Sequence, residues 1–592
     1  MTEIKSGQLG KKTRMTETSE LRAKKHPRVT EKWQQLLHTK GCSVKALHDI
    51  AKKLAGDDEQ LSYTTLLELN QERFSEVKRA IVLPLVAGGE HRWEVADPSL
   101  LVAMSVRISS EMEEVFVQSL RAHQCSAEAP WSLVVTWDEF TPGNPLQPHD
   151  DRKAMVTNFS FLELLGDSDN TWRTMAVART TKIKEVKDGW SRMLRDLLRL
   201  TLGGPSGMQT AGIPLKLKGE FVSIHARVVC LLSDGDGLRQ AMQWNGAASL
   251  KPCFRHWNLV KKNHSLSENT DDKYVAVDCW CSSKFQVWSE SEWRTTIDVC
   301  VEAQRQWASG DMTRSRLGET QKALGFKASE DGLLADPELR LRMNFIDVLR
   351  YDWAHTFLAD SIVGREMWGL IEAAERHFIF SQHHIYDFLS EPWEFASSSK
   401  TKKDTKWSTV KKIFHEVRRG IHEDHRTIKA NMGDLLGLYA LLRHFVESRV
   451  PDTSSIVEEV HLFQLTCKAV DLVLAAKKRR VDVREAGAQL LLVLEEHLKL
   501  HVKVHGNGRV APKFHWAFDI AECMVADGFV VDAFTLERLH LRVKAIANHC
   551  KNLNKYEASV MTGVTSSHLN NLVNTDSWPS GCNLVDKVAS VP

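Results

Sequence analysis

The chain has no run approaching the roughly 20 apolar residues that a membrane span needs, so the sequence reads as having no membrane partner. Its 11 cysteines are too few for 592 residues to form a disulfide scaffold. Most stand singly in apolar stretches, as Cys230 and Cys467 do. The first residues, MTEIKSGQLGKKTRMTETSELRAKKHPR, lack the apolar core of a secretory signal. An intracellular, reducing setting is therefore expected. A surplus of one charge is also missing: 78 Lys and Arg stand against 76 Asp and Glu, a formal charge of +2. Overall charge thus argues neither for nor against nucleic acid, and only local patches can decide. No internal repeat is present.

What is there begins with size. At roughly 150 residues per hydrophobic core, the length predicts three or four units. Residues 1–30 are polar and basic and read as a disordered tail. In 31–125, KALHDIAKKLAG and TTLLELNQERFSEVKRAIVLPLV place apolar residues three and four apart and predict helices. The pattern changes at Trp131. WSLVVTWDEF, MVTNFSFLEL and TWRTMAVART predict three strands, and KIKEVKDGWSRMLRDLLRLTLGG predicts a helix closed by Gly203-Gly204. EFVSIHARVVCLLSD predicts one long strand, and GLRQAMQWNG a short helix. Three strands, a helix, a strand and a helix predict an α/β unit on a mixed sheet. From about 290 to 505 the strand signals stop, and segments such as REMWGLIEAAERHFIF and AGAQLLLVLEEHLKL predict an all-helical block. Two further helices follow Pro512.

Chemistry is suggested by acids at strand ends, where an α/β sheet presents its reactive groups. Asp138 ends the first strand of the unit and Asp234 the fourth. Paired carboxylates bind Mg²⁺ or Mn²⁺, and two such ions stabilise the attacking and leaving oxygens of a phosphodiester displacement. Glu537, on the helix FTLERLH just past the helical block, is the candidate third acid. Asp236 competes with Asp234, and Glu139 with Asp138, although Glu139 points to the opposite face of a continuous strand. Each acid has an ordinary reading too: Asp234, before Gly235 and a helix, is a good N-cap.

Several blocks, in order from about 131 to 575, resemble the DDE transposases of the CACTA-type group, the cut-and-paste family of plants and protists. They are LVVTWDEFTPG; LLSDGDGLRQAMQWNGAASLKPCFRHWNLV; FIDVLRYDWAHTFLADSIVGREMW, with the Asp-x-x-His element as Asp352-Trp353-Ala354-His355; APKFHWAFDIAECMVADGFVVDAFTLERLH; and KNLNKYEASVMTGV. The resemblance implies a ribonuclease H-like core interrupted by a large helical insertion. Its first part would be 126–250, a zinc-knuckle segment 251–290, the insertion 291–505, the last core helices 506–575 and a flexible tail 576–592. Asp138, Asp234 and Glu537 carry over as the catalytic acids, with Asp236 as the alternative second acid. The implied activity is metal-dependent DNA strand cleavage and strand transfer in the nucleus, by a homo-oligomer bridging transposon ends and target DNA, with no small-molecule substrate. The alternative is a catalytically inactive, domesticated descendant that binds DNA or acts as a scaffold. A mostly helical interaction protein is a third reading, against which the ordered strands count.

A structural Zn²⁺ is the second implied cofactor. The family has Cys-x-x-Cys where this chain has Cys253-Phe254-Arg255-His256, so Cys253 and His256 form a mixed pair. His355 and Asp352 are the candidate completing groups, with Cys279 and Cys281 as others. The ordinary reading is that Cys253 is a buried thiol and His355 a core histidine at a helix contact. For DNA, Lys402, Lys403, Lys406, Lys411 and Lys412 surround Trp407 in a polar loop, a composition suited to phosphates and an unstacked base. Lys477-Lys478-Arg479-Arg480 has the form of a nuclear-localisation tetrad, but it also suits the negative end of a helix.

Overall fold

A computed structural model of the protein describes residues 71–144, 147–148, 150–164, 170–204, 207–262, 273–391 and 410–573. Residues 71–77 are helical as expected, but the helix ends there. Lys78–Pro84 (β1) and Glu90–Ala96 (β2) form an antiparallel hairpin around Gly88 and Gly89, which both have positive φ. The expected periodicity gave way only from Lys78, in KRAIVLPLV, because Ala80 to Leu83 also suit a strand, and two glycines supply the turn. Helices do follow, at Pro98–Ile108 (α1) and Ser110–Ala122 (α2), capped by the side chains of Asp97 and Ser109.

The central sheet begins at Trp131–Phe140 (β3), Ala154–Phe161 (β4) and Arg173–Arg179 (β5), an antiparallel meander. The predicted single helix that follows is two, Thr180–Glu185 (α3) and Gly189–Leu202 (α4), because Asp188 takes a left-handed conformation at φ 63°. The predicted long strand is also two. Ile213–Leu217 (β6) pairs with Glu220–Ile224 (β7) as a separate hairpin, and Ala226–Ser233 (β8) enters the central sheet parallel to β3. Gly235–Met242 (α5) follows at once, and Glu290–Ser309 (α6) opens the helical region behind a Ser289/Glu292 capping box.

That region contains one strand the sequence did not reveal. Leu349–Tyr351 (β9) lies parallel to β8 at the sheet edge, giving a five-stranded mixed sheet in the order β9-β8-β3-β4-β5. Three residues between helical segments carry too little periodicity to stand out. Trp353–Phe357 (α7) and Ile362–Arg376 (α8) follow. The long helices Met432–Arg449 (α9), Val457–Lys477 (α10) and Val483–His505 (α11) then pack on one another and on α8. Pro512–Asp527 (α12) lies against α11, α7 and β9; Phe534–His549 (α13) and Tyr556–Val573 (α14) complete the fold.

Period-two alternation divides the sheet's two faces. Trp131, Leu133, Val135 and Trp137 of β3 point into the main hydrophobic core. Val134 points the other way and joins Cys230 and Leu232 of β8 beneath Ala533, Leu536 and Leu539. Leu536 and Leu539 are one helical turn apart on α13, so a single stripe of that helix is held on the sheet. Burying each leucine contributes about 1.5–3 kcal/mol.

Candidate metal-binding active site

The same alternation aims the acids. Asp138 shares the parity of Val134 and therefore faces α13, whereas Glu139 faces away and pairs with Lys153. In the parallel pairing of β8 and β9, Ser233 is opposite Tyr351, so each strand delivers an aspartate at its next residue: Asp234 and Asp352. The backbone N–H of Asp352 donates to the Ser233 carbonyl at 3.3 Å, and the Ser233 hydroxyl donates to the Trp137 carbonyl at 2.7 Å. The C-terminal ends of three adjacent parallel strands thus carry three aspartates.

Asp352 is almost fully buried, and its two oxygens serve different elements. One accepts from the His355 backbone N–H at 2.8 Å and holds the His355 ring Nδ1 at 2.6 Å. The other accepts from the Ala533 N–H at 3.0 Å, immediately before α13. One carboxylate therefore fixes both the imidazole and the start of the helix that bears Glu537. Lys477 supports the same corner: it pairs with Asp532, whose carboxylate accepts from the Phe534 N–H at 2.9 Å. The first member of the basic tetrad thus serves the local fold.

Ligand atoms of Asp138, His355 and Glu537 lie within 4.8 Å of one another. His355 Nε2 is 3.9 Å from Glu537, and His540 Nδ1 is 3.6 Å from Asp138. Asp234 borders the group. One of its oxygens accepts from the Gly237 N–H at 2.6 Å as the N-cap of α5, and it lines a cavity with Asp236, Asp352, His355 and Lys513. Asp236 is more exposed and holds Arg239 and Gln240 at 2.7 and 2.9 Å on the surface of α5. Lys513 donates to the carbonyls of His355 and Ala359.

The electrostatics reflect crowded acids. Burial pushes the Asp138 carboxyl up to about 8; His355 opposes the rise, and Asp234, Glu537 and Asp352 add to it. Burial also raises Glu537. Burial works against charge on His355, yet the hydrogen bond and charge of Asp352 prevail and hold its pKa at about 9. The acids crowd one another, which a divalent ion would relieve, while the cationic imidazole beside them already offsets part of that charge.

The proposed zinc ligands divide between two places. His355 and Asp352 belong to the acid site. Cys253 and His256 meet His515 and Asp519 of α12 in a fully buried cluster. Cys253 Sγ lies 3.1 Å from Asp519 Oδ2, His256 Nδ1 lies 3.0 Å from Asp519 Oδ1 and 2.9 Å from His515 Nε2, and His256 Nε2 lies 3.1 Å from Glu522. One thiol, two imidazoles and one carboxylate are a suitable zinc donor set. Burial lifts the Cys253 thiol to about 11 and lowers His515 to about 3; the Asp519 carboxylate raises His256 despite its burial. Cys279 and Cys281 are not in this cluster; Cys281 Sγ contacts Ser283 Oγ at 3.1 Å.

Sequence reading assigned no site role to His515, Asp519, Lys513 or His540. The first three lie in the APKFHWAFDI block that carries part of the resemblance, with His515 and Asp519 spaced to share a helix face. Of the basic loop, Lys402, Lys403, Lys406 and Trp407 lie outside the described residues. Lys411 sits 5.5 Å above the Tyr386 ring, and Lys412 opens a short turn whose next residues, Ile413 and Phe414, are buried. Among the described residues no helix is long and apolar enough to cross a membrane. No protein-family model matches the chain, and no curated protein matches it.

Proposed function

We propose that the chain is a DDE-type transposase or transposase-derived nuclease of the CACTA-type group, acting on DNA in the nucleus. The observation that carries this reading is the grouping of Asp138 and Glu537 around His355, with Asp234 beside Asp138. Asp138 and Glu537 bring ligand atoms within 4.8 Å of each other and of His355, while Asp234, at the end of the neighbouring parallel strand, acts electrostatically on Asp138 and lines the adjoining cavity. The strand order supports the ribonuclease H-like assignment: an antiparallel meander, then two strands parallel to its first, with the helical block ahead of the last acid.

In this reading Asp138, Asp234 and Glu537 would hold Mg²⁺ or Mn²⁺, which would neutralise phosphodiester charge and lower the pKa of a water. Water oxygen bonds to phosphorus as the P–O3′ bond breaks, and the 3′ oxygen leaves as a hydroxyl. That hydroxyl then attacks a target phosphodiester, exchanging one P–O bond for another. Asp352 positions Glu537 and His355, and Lys513 brings a positive charge to the cavity wall. Cys253, His256, His515 and Asp519 would hold the structural Zn²⁺, tying the segment after α5 to α12.

A second reading, a DNA-binding descendant without catalysis, is favoured by one observation: the His355 ring, held by Asp352, reaches into the acid group. Cleavage of supercoiled DNA with Mg²⁺ or Mn²⁺ separates the two. The nuclease reading expects cleavage by the wild type and loss in folded Asp234→Ala. Equal cleavage by both would reject the site, and no cleavage by either would favour the descendant.

A further inference from the structure

A third cluster, sharing no residue with either group, lies in the helical block. Glu366 of α8 is 1% exposed, and three histidines of α11 face it: His497, His501 and His505. Their spacing of four residues places all three on one side of that helix. His501 Nδ1 is 2.7 Å and His497 Nε2 3.1 Å from Glu366 Oε1, and His505 Nε2 is 3.6 Å from Oε2. Donor atoms of Glu366, His501 and His505 lie within 4.8 Å of one another.

Hydrogen bonding leaves this cluster incomplete. Glu366 Oε2 and His501 Nε2 are buried with no hydrogen-bond partner, although such groups are normally satisfied. Space has been cleared as well: a Cβ at Gly369 of α8 would meet the His505 ring at 2.8 Å. Phe514 packs on the His497 and His501 rings, at 5.8 and 4.5 Å between centroids, and closes another side with an apolar surface. A buried carboxylate facing several imidazoles, with donor atoms unused, is the chemistry of a nitrogen-and-oxygen metal site. Imidazole nitrogen favours zinc and neighbouring transition ions, while Mg²⁺ and Ca²⁺ prefer an all-oxygen set. His505 is the most exposed of the four, giving an ion a side from which to enter.

We infer that Glu366, His501 and His505, with His497 beside them, form a structural binding site for a zinc-class divalent ion that clasps α8 to α11. The site is separate from the acids and from the Cys253 cluster, and it does not depend on the proposed nuclease activity. Its position in the chain gives it a role: α8 directly follows α7, which carries His355, so anchoring α8 steadies the route to the acid site.

The test uses tag-free full-length protein loaded with Zn²⁺, passed over a weak chelating resin and measured for bound zinc. His505→Asn and Glu366→Gln should each lose about one equivalent relative to the wild type. Cys253→Ser should affect a different equivalent, so that combining it with His505→Asn gives additive losses. With Co²⁺, the ion lost in His505→Asn should show visible d–d absorption without a thiolate charge-transfer band. Chelation should lower the Tm of the wild type more than that of His505→Asn. Should Glu366→Gln fail to fold, His505→Asn carries the test. Unchanged zinc content and unchanged chelator sensitivity in folded His505→Asn would overturn the inference.

Discussion

Replacing Asp138 with asparagine should stabilise the metal-free protein while removing its proposed activity. Burial and neighbouring acids raise this carboxyl from its ordinary 3.8 to about 8. Between those values the unfolded chain has released the proton and the folded chain retains it. Folding stability therefore falls as pH rises from about 4 to about 8 and levels off above. At pH 7 the difference from the ordinary value is about 3 units, or about 4 kcal/mol at 1.36 kcal/mol per unit. Solvent relaxation around a side chain that is 18% exposed reduces this, and a gain of about 2 kcal/mol is expected for Asp138→Asn in chelator. Urea unfolding of both proteins in EDTA, from pH 5 to pH 8.5, provides the assay. The wild type should lose stability across that range more steeply than the variant. Added Mn²⁺ should reverse the order, because an ion bound only to the folded state stabilises by mass action, about 2.7 kcal/mol at 100 times its Kd. A variant less stable than the wild type in EDTA at pH 8, with the same pH slope, would refute the argument from crowded acids.

Other substitutions probe the supports. Asp352→Ala removes the acceptor shared by His355 and the start of α13; by analogy with breaking a buried pair it should cost about 3–5 kcal/mol, and NMR titration should find the His355 pKa below its wild-type value of about 9. Arg179 and Glu557 join β5 to α14 through a buried pair at 2.8 Å. Arg179→Met should destabilise by about 3 kcal/mol, and adding Glu557→Gln should restore part of the loss in chemical denaturation. His422 is held neutral: the Lys429 N–H donates to its Nδ1 at 3.1 Å, while its Nε2 donates to the Ile413 carbonyl at 2.8 Å. Burial lowers its pKa below 6.5, so its contribution is complete above pH 6.5 and is lost as pH falls below that value. His422→Asn should flatten the acid limb of a Tm–pH profile, and an unchanged limb would contradict the tautomer assignment.

The sequence was most legible where one period dominated. WSLVVTWDEF alternates cleanly, which located β3 and showed that Asp138 and Glu139 point to opposite faces. The long helices from α8 to α12 were legible for the same reason. β9 was not, because LRY is three residues long and owes its extended state to pairing with β8 rather than to its own pattern. The run EFVSIHARVVCLLSD concealed a break, since both halves favour a strand and the division depends on which partner each finds. The region before Trp131 was read as helical and contains a hairpin, for the same lack of a tertiary view. At the site, the order of the blocks led to Asp138, Asp234 and Glu537. Spacing alone could not divide Asp352 and His355 from Cys253 and His256, because nothing local tells which strand end a distant helix will meet. The Glu366 cluster was hidden as well: its histidines are regular along α11, but their acidic partner lies 135 residues earlier than His501.

The central claim is that Asp138, Asp234 and Glu537 share divalent ions. Anomalous diffraction from crystals of the full chain soaked in Mn²⁺ tests it most directly. The account predicts manganese peaks within coordination distance of the carboxylates of Asp138, Asp234 and Glu537, with the peak beside Asp138 weakened in Asp138→Asn crystals. Well-ordered crystals with no manganese between these carboxylates, at Mn²⁺ concentrations that support any DNA cleavage observed, would contradict it.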